Sequence, residues 1–311
     1  MKILISGGNG LIGSNLLTGL PKHHEIISLS RGTKYSQLSR IIGSNVKLVK
    51  GNVSDANLKG DLFNSTDAIL HFAGGGGNSA CMSNPSSSVD TYINGTRLLL
   101  RKAKEFNIDL FVFASSHFSY STYKKKNLPL KEDDELEPDD LYGSLKAAAE
   151  KIIVESGVNY IILRFSNIFG FGNGLHADDT GGAIENFLSS VRSKKDISVY
   201  GTGKQKLAYL NVKDVVQCIN LILESRKRNE IYNVGGSEIF TVEEIANIVS
   251  IAGQENYSFK TNIKKIEVPE EKVWPDKIMS NDKIRKDLGW HPEMTLKEGI
   301  KEYMINDNSK C

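Results

Sequence analysis

The sequence predicts an α/β fold, a doubly wound parallel sheet followed by a smaller C-terminal lobe, and three observations carry that expectation. Short apolar runs alternate with longer amphipathic stretches through the first half of the chain. A glycine-rich turn, within GGNGLIG, lies between the first apolar run and the first amphipathic stretch. Tyr142 and Lys146 follow at helical spacing after a strand that ends in Ser115-Ser116.

The elements follow in order. Residues 2–6 are apolar enough for a buried parallel strand, and 11–20 keep one apolar face at helical spacing. Between them Gly8, Gly10 and Gly13 fit G-x-G-x-x-G, while Gly7, Gly10 and Gly13 fit a looser G-x-x-G-x-x-G. Either spacing permits a tight turn and close approach of a pyrophosphate to backbone N–H groups at the positive end of the helix. A glycine turn alone is often just a turn. Its place after a strand and before a helix makes Gly7, Gly10, Leu11, Ile12 and Gly13 candidate contacts of a dinucleotide in a Rossmann-type domain. The second strand, 25–29, ends at Ser30-Arg31, where such a site chooses its cofactor. A carboxylate there suits the ribose 2′-hydroxyl of NAD; a small hydroxyl residue followed by arginine suits the 2′-phosphate of NADP. Ser30 and Arg31 therefore predict NADP before NAD, against the plainer reading of a surface arginine that NAD tolerates.

Further strands are predicted at 46–49, 68–72, 110–114 and 160–165, with helices at 88–106, 141–155 and 182–192. This alternation gives a parallel sheet covered on both faces and wound in the right-handed sense. Beyond residue 165 the pattern loosens into turns, short strands and helices such as 212–224 and 241–251. The expected division is a dinucleotide-binding domain of residues 1–166, completed by segments within about 206–234, and a smaller substrate-binding lobe of 167–205 and 235–311.

Composition narrows the function. At 311 residues and a formal charge of +2, the chain can bury a sizeable core and offers no global attraction to nucleic acid or to a membrane surface. Lys124-Lys125-Lys126 is balanced by the acidic run at 132–135, which reads as a solvated loop. Cys81, Cys218 and Cys311 are far apart and without metal-ligand spacing, so no metal is expected. No apolar stretch approaches 18 residues and the first strand starts at residue 2, so a cytoplasmic protein is expected.

The chemistry lies in the second motif. On a helix Tyr142 and Lys146 share one face, so the ammonium can lie beneath the phenol and favour its ionisation, while holding a nicotinamide ribose. A hydroxyl at the end of the preceding strand can orient the substrate oxygen. Such a Tyr-x-x-x-Lys pair is elsewhere an exposed ladder; here the glycine turn and the serine pair give it a catalytic reading.

With these residues the chain resembles the extended short-chain dehydrogenase/reductase superfamily, in its sugar-nucleotide epimerase/dehydratase branch. The resemblance spans nearly the whole chain: GGNGLIG, HFAGGGG, NGTRLLL, YGSLK, RFSNIFGFGNG, GTGKQKLAYLNVKDVV, YNVGGSE and DLGWHP. It implies that Tyr142 is the acid/base, Lys146 its partner, and Ser116 the substrate-orienting hydroxyl. It further implies cofactor contacts from Asn52, Val53, Phe72, Ala73 and Gly74, and substrate contacts from Ser116, His117 and Asn167. Several positions depart from the family pattern. Asn52 replaces an aspartate that holds adenine, and Tyr92 replaces an asparagine. Leu207 stands where a diphosphate-binding arginine is usual, and a second arginine is missing near Val273-Trp274-Pro275-Asp276. Lys204, Lys206 or Lys272 can supply point charges instead. His117-Phe118 replaces the acidic pair of the dehydratases, which disfavours water elimination. His117 is either a second proton donor or a histidine satisfied at the pocket edge. The run from Gly74 to Asn78 is either a flexible wall over the site or a plain loop.

The expected activity is an NAD(P)-dependent ketoreductase acting on a nucleotide-activated sugar, with a 4-epimerase that retains its cofactor as the alternative and a non-catalytic dinucleotide-binding sensor as the third. The resemblance implies a homodimer built from two helices per chain. Leu98-Leu99-Leu100, Ala147-Ala148-Ala149 and Ile152-Ile153 are the apolar candidates for that surface, unless they pack on the sheet.

Overall fold

The computed structural model describes residues 1–32, 35–74, 77–121, 124, 126–172, 182–259, 261–269 and 274–308. The first half runs β1 (Lys2–Ser6), α1 (Leu11–Gly19), β2 (Glu25–Ser30), α2 (Tyr35–Leu38), β3 (Val46–Lys50), β4 (Ala68–His71), α3 (Gly77–Ser83) and α4 (Pro85–Val89). A π-helical turn (Asp90–Gly95) then leads into α5 (Thr96–Glu105), β5 (Leu110–Ser116), α6 (Leu141–Val154) and β6 (Tyr160–Phe165). The second half runs β7 (Asn167–Phe169), α7 (Ala183–Arg192), β8 (Ile197–Tyr200), β9 (Lys206–Asn211), α8 (Val212–Glu224) and β10 (Glu230–Val234). It ends with β11 (Ile239–Thr241), α9 (Val242–Tyr257), β12 (Ile263–Ile266), α10 (Asp282–Leu288) and α11 (Leu296–Asn308).

The main sheet is parallel throughout, in the order β10-β6-β5-β4-β1-β2-β3. Alternate residues of β1 enter opposite layers. Ile3 and Ile5 join the core with Leu16, Ile219 and Trp290 on one face, whereas Leu4 joins Leu99, Phe111 and Ile153 on the other. Burial on both faces explains why these strands read as apolar runs rather than as alternating patterns. The winding reverses between β1 and β4, which opens a crevice at the carboxyl ends of those strands. A third core gathers α7, α9 and α11 around the small sheet β11-β9-β7, with Phe187, Val191, Ile245, Val249 and Ile300 buried there.

Boundaries of the expected strands hold to within two residues, and 160–165 and 212–224 coincide with β6 and α8. Three expectations change. The single helix expected over 88–106 is divided, because Asn84 caps α4 through the Ser87 N–H and the chain then widens into the π-helical turn before α5. Gly77 and Asn78, read as wall or loop, begin α3; Gly75 and Gly76 lie outside the described residues. Leu98, Leu99, Leu100, Ala149 and Ile153 are core of the single chain, so they supply no dimer surface; of the candidates Ala148 is exposed. These apolar runs pack on the sheet instead. Among the described residues no helix is long and apolar enough to cross a membrane.

Candidate active site

The site begins at the glycine turn. Gly7 adopts φ +81°, and a Cβ there would fall 2.7 Å from the backbone of Phe72 and Ala73. A Cβ on Gly13 would lie 2.2 Å from the Gly7 carbonyl oxygen, so α1 can meet β1 this closely only through glycine. Gly10 caps α1 without a side-chain hydrogen bond, which leaves the first-turn N–H groups of Leu11 and Ile12 directed at whatever lies beyond the turn. These features fit a dinucleotide pyrophosphate. At the end of β2 the Ser30 hydroxyl donates to the Tyr35 phenol oxygen at 3.1 Å, whereas Arg31 is exposed. Asn52 is exposed and its amide oxygen accepts the Ser54 N–H at 3.5 Å. Val53 is buried against Gly95, where a Cβ would come within 2.6 Å of its methyl group.

A chain of hydrogen bonds links β1 and β4 to the π-helical turn. The Ala73 N–H donates to Ser6 Oγ at 3.3 Å, and Ser6 Oγ meets His71 Nδ1 at 2.7 Å. His71 Nε2 meets Thr96 Oγ1 at 3.1 Å, and that hydroxyl donates to the Tyr92 carbonyl at 2.6 Å. Since Thr96 gives its proton to the carbonyl, it accepts from His71 Nε2–H, and Nδ1 accepts from Ser6. The imidazole is thus neutral in its ordered role. Burial, reinforced by the Lys146 charge, pushes His71 down to about 3.

Ser116, Tyr142 and Lys146 converge at the end of β5. Asp140 caps α6 through the Gly143 N–H at 2.7 Å and so sets where Tyr142 enters the helix. Lys146 is 6% exposed, and its Nζ donates to the Ala114 carbonyl at 2.5 Å. The ammonium lies 5.8 Å from the Tyr142 ring centroid, 4.6 Å from that of Tyr92 and 4.9 Å from that of Phe113. Burial pushes Lys146 down to about 7, opposed by Cys81 and Glu150. The Tyr142 phenol moves the other way, up to about 12, because burial outweighs a hydrogen bond from Ser116. The expectation that the ammonium brings the phenol toward working pH therefore fails for this state: desolvation wins, and the phenol keeps its proton. Ser116 Oγ accepts the Phe118 N–H at 3.3 Å, which leaves the serine proton to be donated.

A buried ion pair braces this strand end. Arg164 on β6 and Glu150 on α6 have side chains 4% exposed and meet at 2.8 Å. Arg164 Nε also donates to both Glu150 oxygens, at 3.2 and 3.1 Å, and Nη1 donates to the Tyr120 phenol at 2.8 Å and the Glu132 carbonyl at 2.9 Å. Ser115 and Ser119 donate to the same carboxylate. Burial disfavours the guanidinium charge, yet Glu150 and Tyr120 together hold Arg164 above its ordinary range.

His117 follows Ser116 and is 2% exposed, with no hydrogen-bond partner for either ring nitrogen among the described residues. Burial, helped by Lys277, pushes it down to about 3, which favours the neutral imidazole. Its ring packs on Phe118, which in turn meets Tyr142 at 5.9 Å and Trp274 at 5.6 Å. Ser166, whose buried hydroxyl is likewise unpartnered among the described residues, precedes Asn167, a half-buried residue that pairs with Tyr209. Leu207, at the position expected to carry an arginine, packs in the third core. Lys204 and Lys206 are exposed, and Lys272 and Val273 lie outside the described residues. The buried cation that sequence reasoning missed is Lys277. It is 3% exposed, donates to the Ser121 carbonyl, and is pushed down to about 8 by burial. Only its place two residues after Pro275 in the departing segment marked it. Tyr120, Glu150 and Arg164 were also missed, since a buried ion pair drawn from two elements has no local spacing.

A Rossmann-type sheet, a glycine turn at its switch point and a Ser-Tyr-Lys constellation define a short-chain dehydrogenase-type protein. The chain belongs to the NAD dependent epimerase/dehydratase family, which residues 3–235 match. It is thereby an enzyme of the extended short-chain dehydrogenase/reductase type. A protein of Methanocaldococcus jannaschii named as a putative UDP-glucose 4-epimerase is 29% identical over 98% of this chain and 99% of its own. The dTDP-D-glucose 4,6-dehydratase of Bos taurus is 27% identical over 97% of this chain and 87% of its own. The structure of a Thermotoga maritima UDP-glucose 4-epimerase with UDP-glucose matches with a TM-score of 0.87 at 22% identity, covering 100% of this chain and 99% of that one. DesIV, a dTDP-glucose 4,6-dehydratase of Streptomyces venezuelae solved with NAD, matches with a TM-score of 0.85 at 22% identity, covering 99% and 97%. At these identities the structural matches speak for the fold.

Proposed function

We propose that the protein reduces a keto carbon, C4, of a nucleotide-activated sugar with NADPH or NADH. The observation that carries this reading is the Ser116-Tyr142-Lys146 constellation with a phenol that rests in its protonated form. A reduced nicotinamide held by Phe72, Ala73 and Gly74 would supply the hydride. Ser116 donates a hydrogen bond to the substrate oxygen, and Tyr142 delivers the proton as the carbonyl becomes a secondary alcohol. Lys146 stabilises the phenolate left behind until it recovers a proton from solvent. The oxygen takes its proton from Tyr142, and the hydride reaching the carbon would leave the nicotinamide oxidised.

The dinucleotide would lie along Gly7, Gly10, Leu11, Ile12 and Gly13, with Ser30 and Arg31 at the adenosine ribose and Asn52 and Val53 at the base. Phe72, Ala73 and Gly74 would line the nicotinamide side. NADP preference now rests on Arg31 alone, since the Ser30 hydroxyl is engaged by Tyr35. The sugar would meet Ser116, His117 and Asn167. On this division residues 1–166 with part of 206–234 hold the cofactor, and 167–205 with 235–311 hold the sugar.

A second reading, a 4-epimerase that retains its dinucleotide, draws support from the relatives named as 4-epimerases. The two separate cleanly. Protein purified without added cofactor is denatured and its extract analysed, and the stripped protein is titrated with NADPH and NADH. Empty protein that binds NADPH tightly and reversibly, and oxidises it with a 4-keto nucleotide sugar, supports the reductase. A stoichiometric, retained and oxidised dinucleotide overturns that reading in favour of the epimerase.

A further inference from the structure

Lys146 has few means of remaining charged where it sits. At 6% exposure it takes little help from water, and its hydrogen bond to a carbonyl at 2.5 Å brings no counter-charge. The groups that face it come from five elements: Cys81 on α3, His71 on β4, Tyr92 on the π-helical turn, Phe113 on β5, and Tyr142 and Glu150 on its own helix. Glu150 is committed to Arg164, burial keeps the Cys81 thiol protonated, and His71 is neutral. Aromatic faces remain, and a ring attracts a cation lying within about 6 Å of its centroid. Tyr92 is the nearest of the three rings, at 4.6 Å.

The Tyr92 ring is also firmly placed for this task. It is 2% exposed, meets Tyr142 edge-on at 6.0 Å, and closes on Gly74, where a Cβ would fall 2.5 Å from the ring. Its carbonyl receives the Thr96 hydroxyl at the end of the hydrogen-bond chain from Ser6 and His71. The residue lies inside the π-helical turn, whose extra residue per turn alters the direction that a continuous α-helix would give it.

We propose that Tyr92 is a positioning residue for Lys146, its ring face holding the ammonium in place and in charged form. The functional weight of Lys146 rests on the oxidoreductase reading above.

The test reads Lys146 directly. Protein carrying [13Cε]lysine is titrated by NMR, with the Lys146 resonance assigned by its loss in K146R. Tyr92→Phe keeps the ring and should leave the Lys146 midpoint within about 0.3 unit, whereas Tyr92→Leu should lower it by about one unit. Phenylalanines of increasing fluorination at position 92 preserve shape and weaken the ring quadrupole, so the midpoint should fall stepwise. A Tyr92→Leu midpoint equal to that of the parent overturns the proposal, as does a flat fluorinated series. Should Tyr92→Leu not fold, the fluorinated series decides. The titration needs neither cofactor nor sugar. Failure of the oxidoreductase reading would show separately, as the absence of turnover with nucleotide sugars.

Discussion

Glu150→Ala is the substitution whose cost the structure defines most closely. It removes the acceptor of three Arg164 N–H contacts at 2.8, 3.1 and 3.2 Å while the guanidinium stays 4% exposed. Tyr120 and Glu132 still accept from Nη1, but no negative charge remains beside the cation, and Ser115 and Ser119 lose their acceptor. Breaking one side of a buried ion pair costs about 3–5 kcal/mol, since the surviving charge remains in low dielectric. Replacing both partners with apolar residues, as in E150L/R164M, removes that unpaired charge and leaves the smaller cost of orphaned hydroxyls, roughly 1–2 kcal/mol. Urea unfolding followed by circular dichroism, with unchanged m-values, gives both numbers. The double variant should be more stable than E150A by about 2 kcal/mol or more. An E150A variant within about 1 kcal/mol of the parent, or a double variant no better than E150A, would refute the reasoning.

Other outcomes follow from the same geometry. Tyr142→Phe should lose most turnover while binding NADPH or NADH as the parent does, measured by steady-state kinetics and calorimetry; full activity would remove the proton donor from the mechanism. Gly13→Ala forces a methyl group to 2.2 Å from the Gly7 carbonyl, so dinucleotide affinity should fall at least about tenfold, and unchanged calorimetric binding would contradict the close turn. Arg31→Ala should weaken NADPH more than NADH, with equal losses counting against a 2′-phosphate contact. His71 and His117 are both held near pH 3, against about 6.5 when unfolded, so the folded state carries fewer protons in that interval. Stability is therefore complete above about pH 6.5 and falls as pH drops toward 3, by roughly 2 kcal/mol per histidine at pH 5. His117→Leu should flatten that decline in urea midpoints, and an unchanged slope would show that His117 is not buried as described.

Much of the fold was legible because its strands are apolar on both faces and its turns carry glycine. β6 and α8 were readable to the residue, since tyrosine, isoleucine and leucine in β6, or a heptad-like face in α8, leave little ambiguity. The π-helical turn was not legible, because one extra residue within Asp90–Gly95 leaves apolar spacing nearly intact. Leu98 to Leu100 show the opposite difficulty, as core and interface leucines share one pattern. Of the site, Ser116, Tyr142 and Lys146 lie within short motifs and converge as their spacing implied. The balance of burial against charge at Tyr142 could not be read, because it depends on Tyr92, Phe118 and Cys81 brought in from other elements. Lys277 was hidden for the same reason: its partner, the Ser121 carbonyl, is distant in sequence.

The edge strand β10 has a consequence for how the chain matures during translation. It lies beside β6 in space, yet β7, α7, β8, β9 and α8 are made between the two. Until Val234 has left the ribosome tunnel, β6 presents an unpaired edge, and Asn233 is not there to receive the Tyr120 hydroxyl or to donate its side-chain amide to the Leu130 carbonyl. A nascent chain stalled near residue 166 would therefore expose a template for wrong strand pairing, and it would be a substrate for holding chaperones rather than an autonomously folded unit.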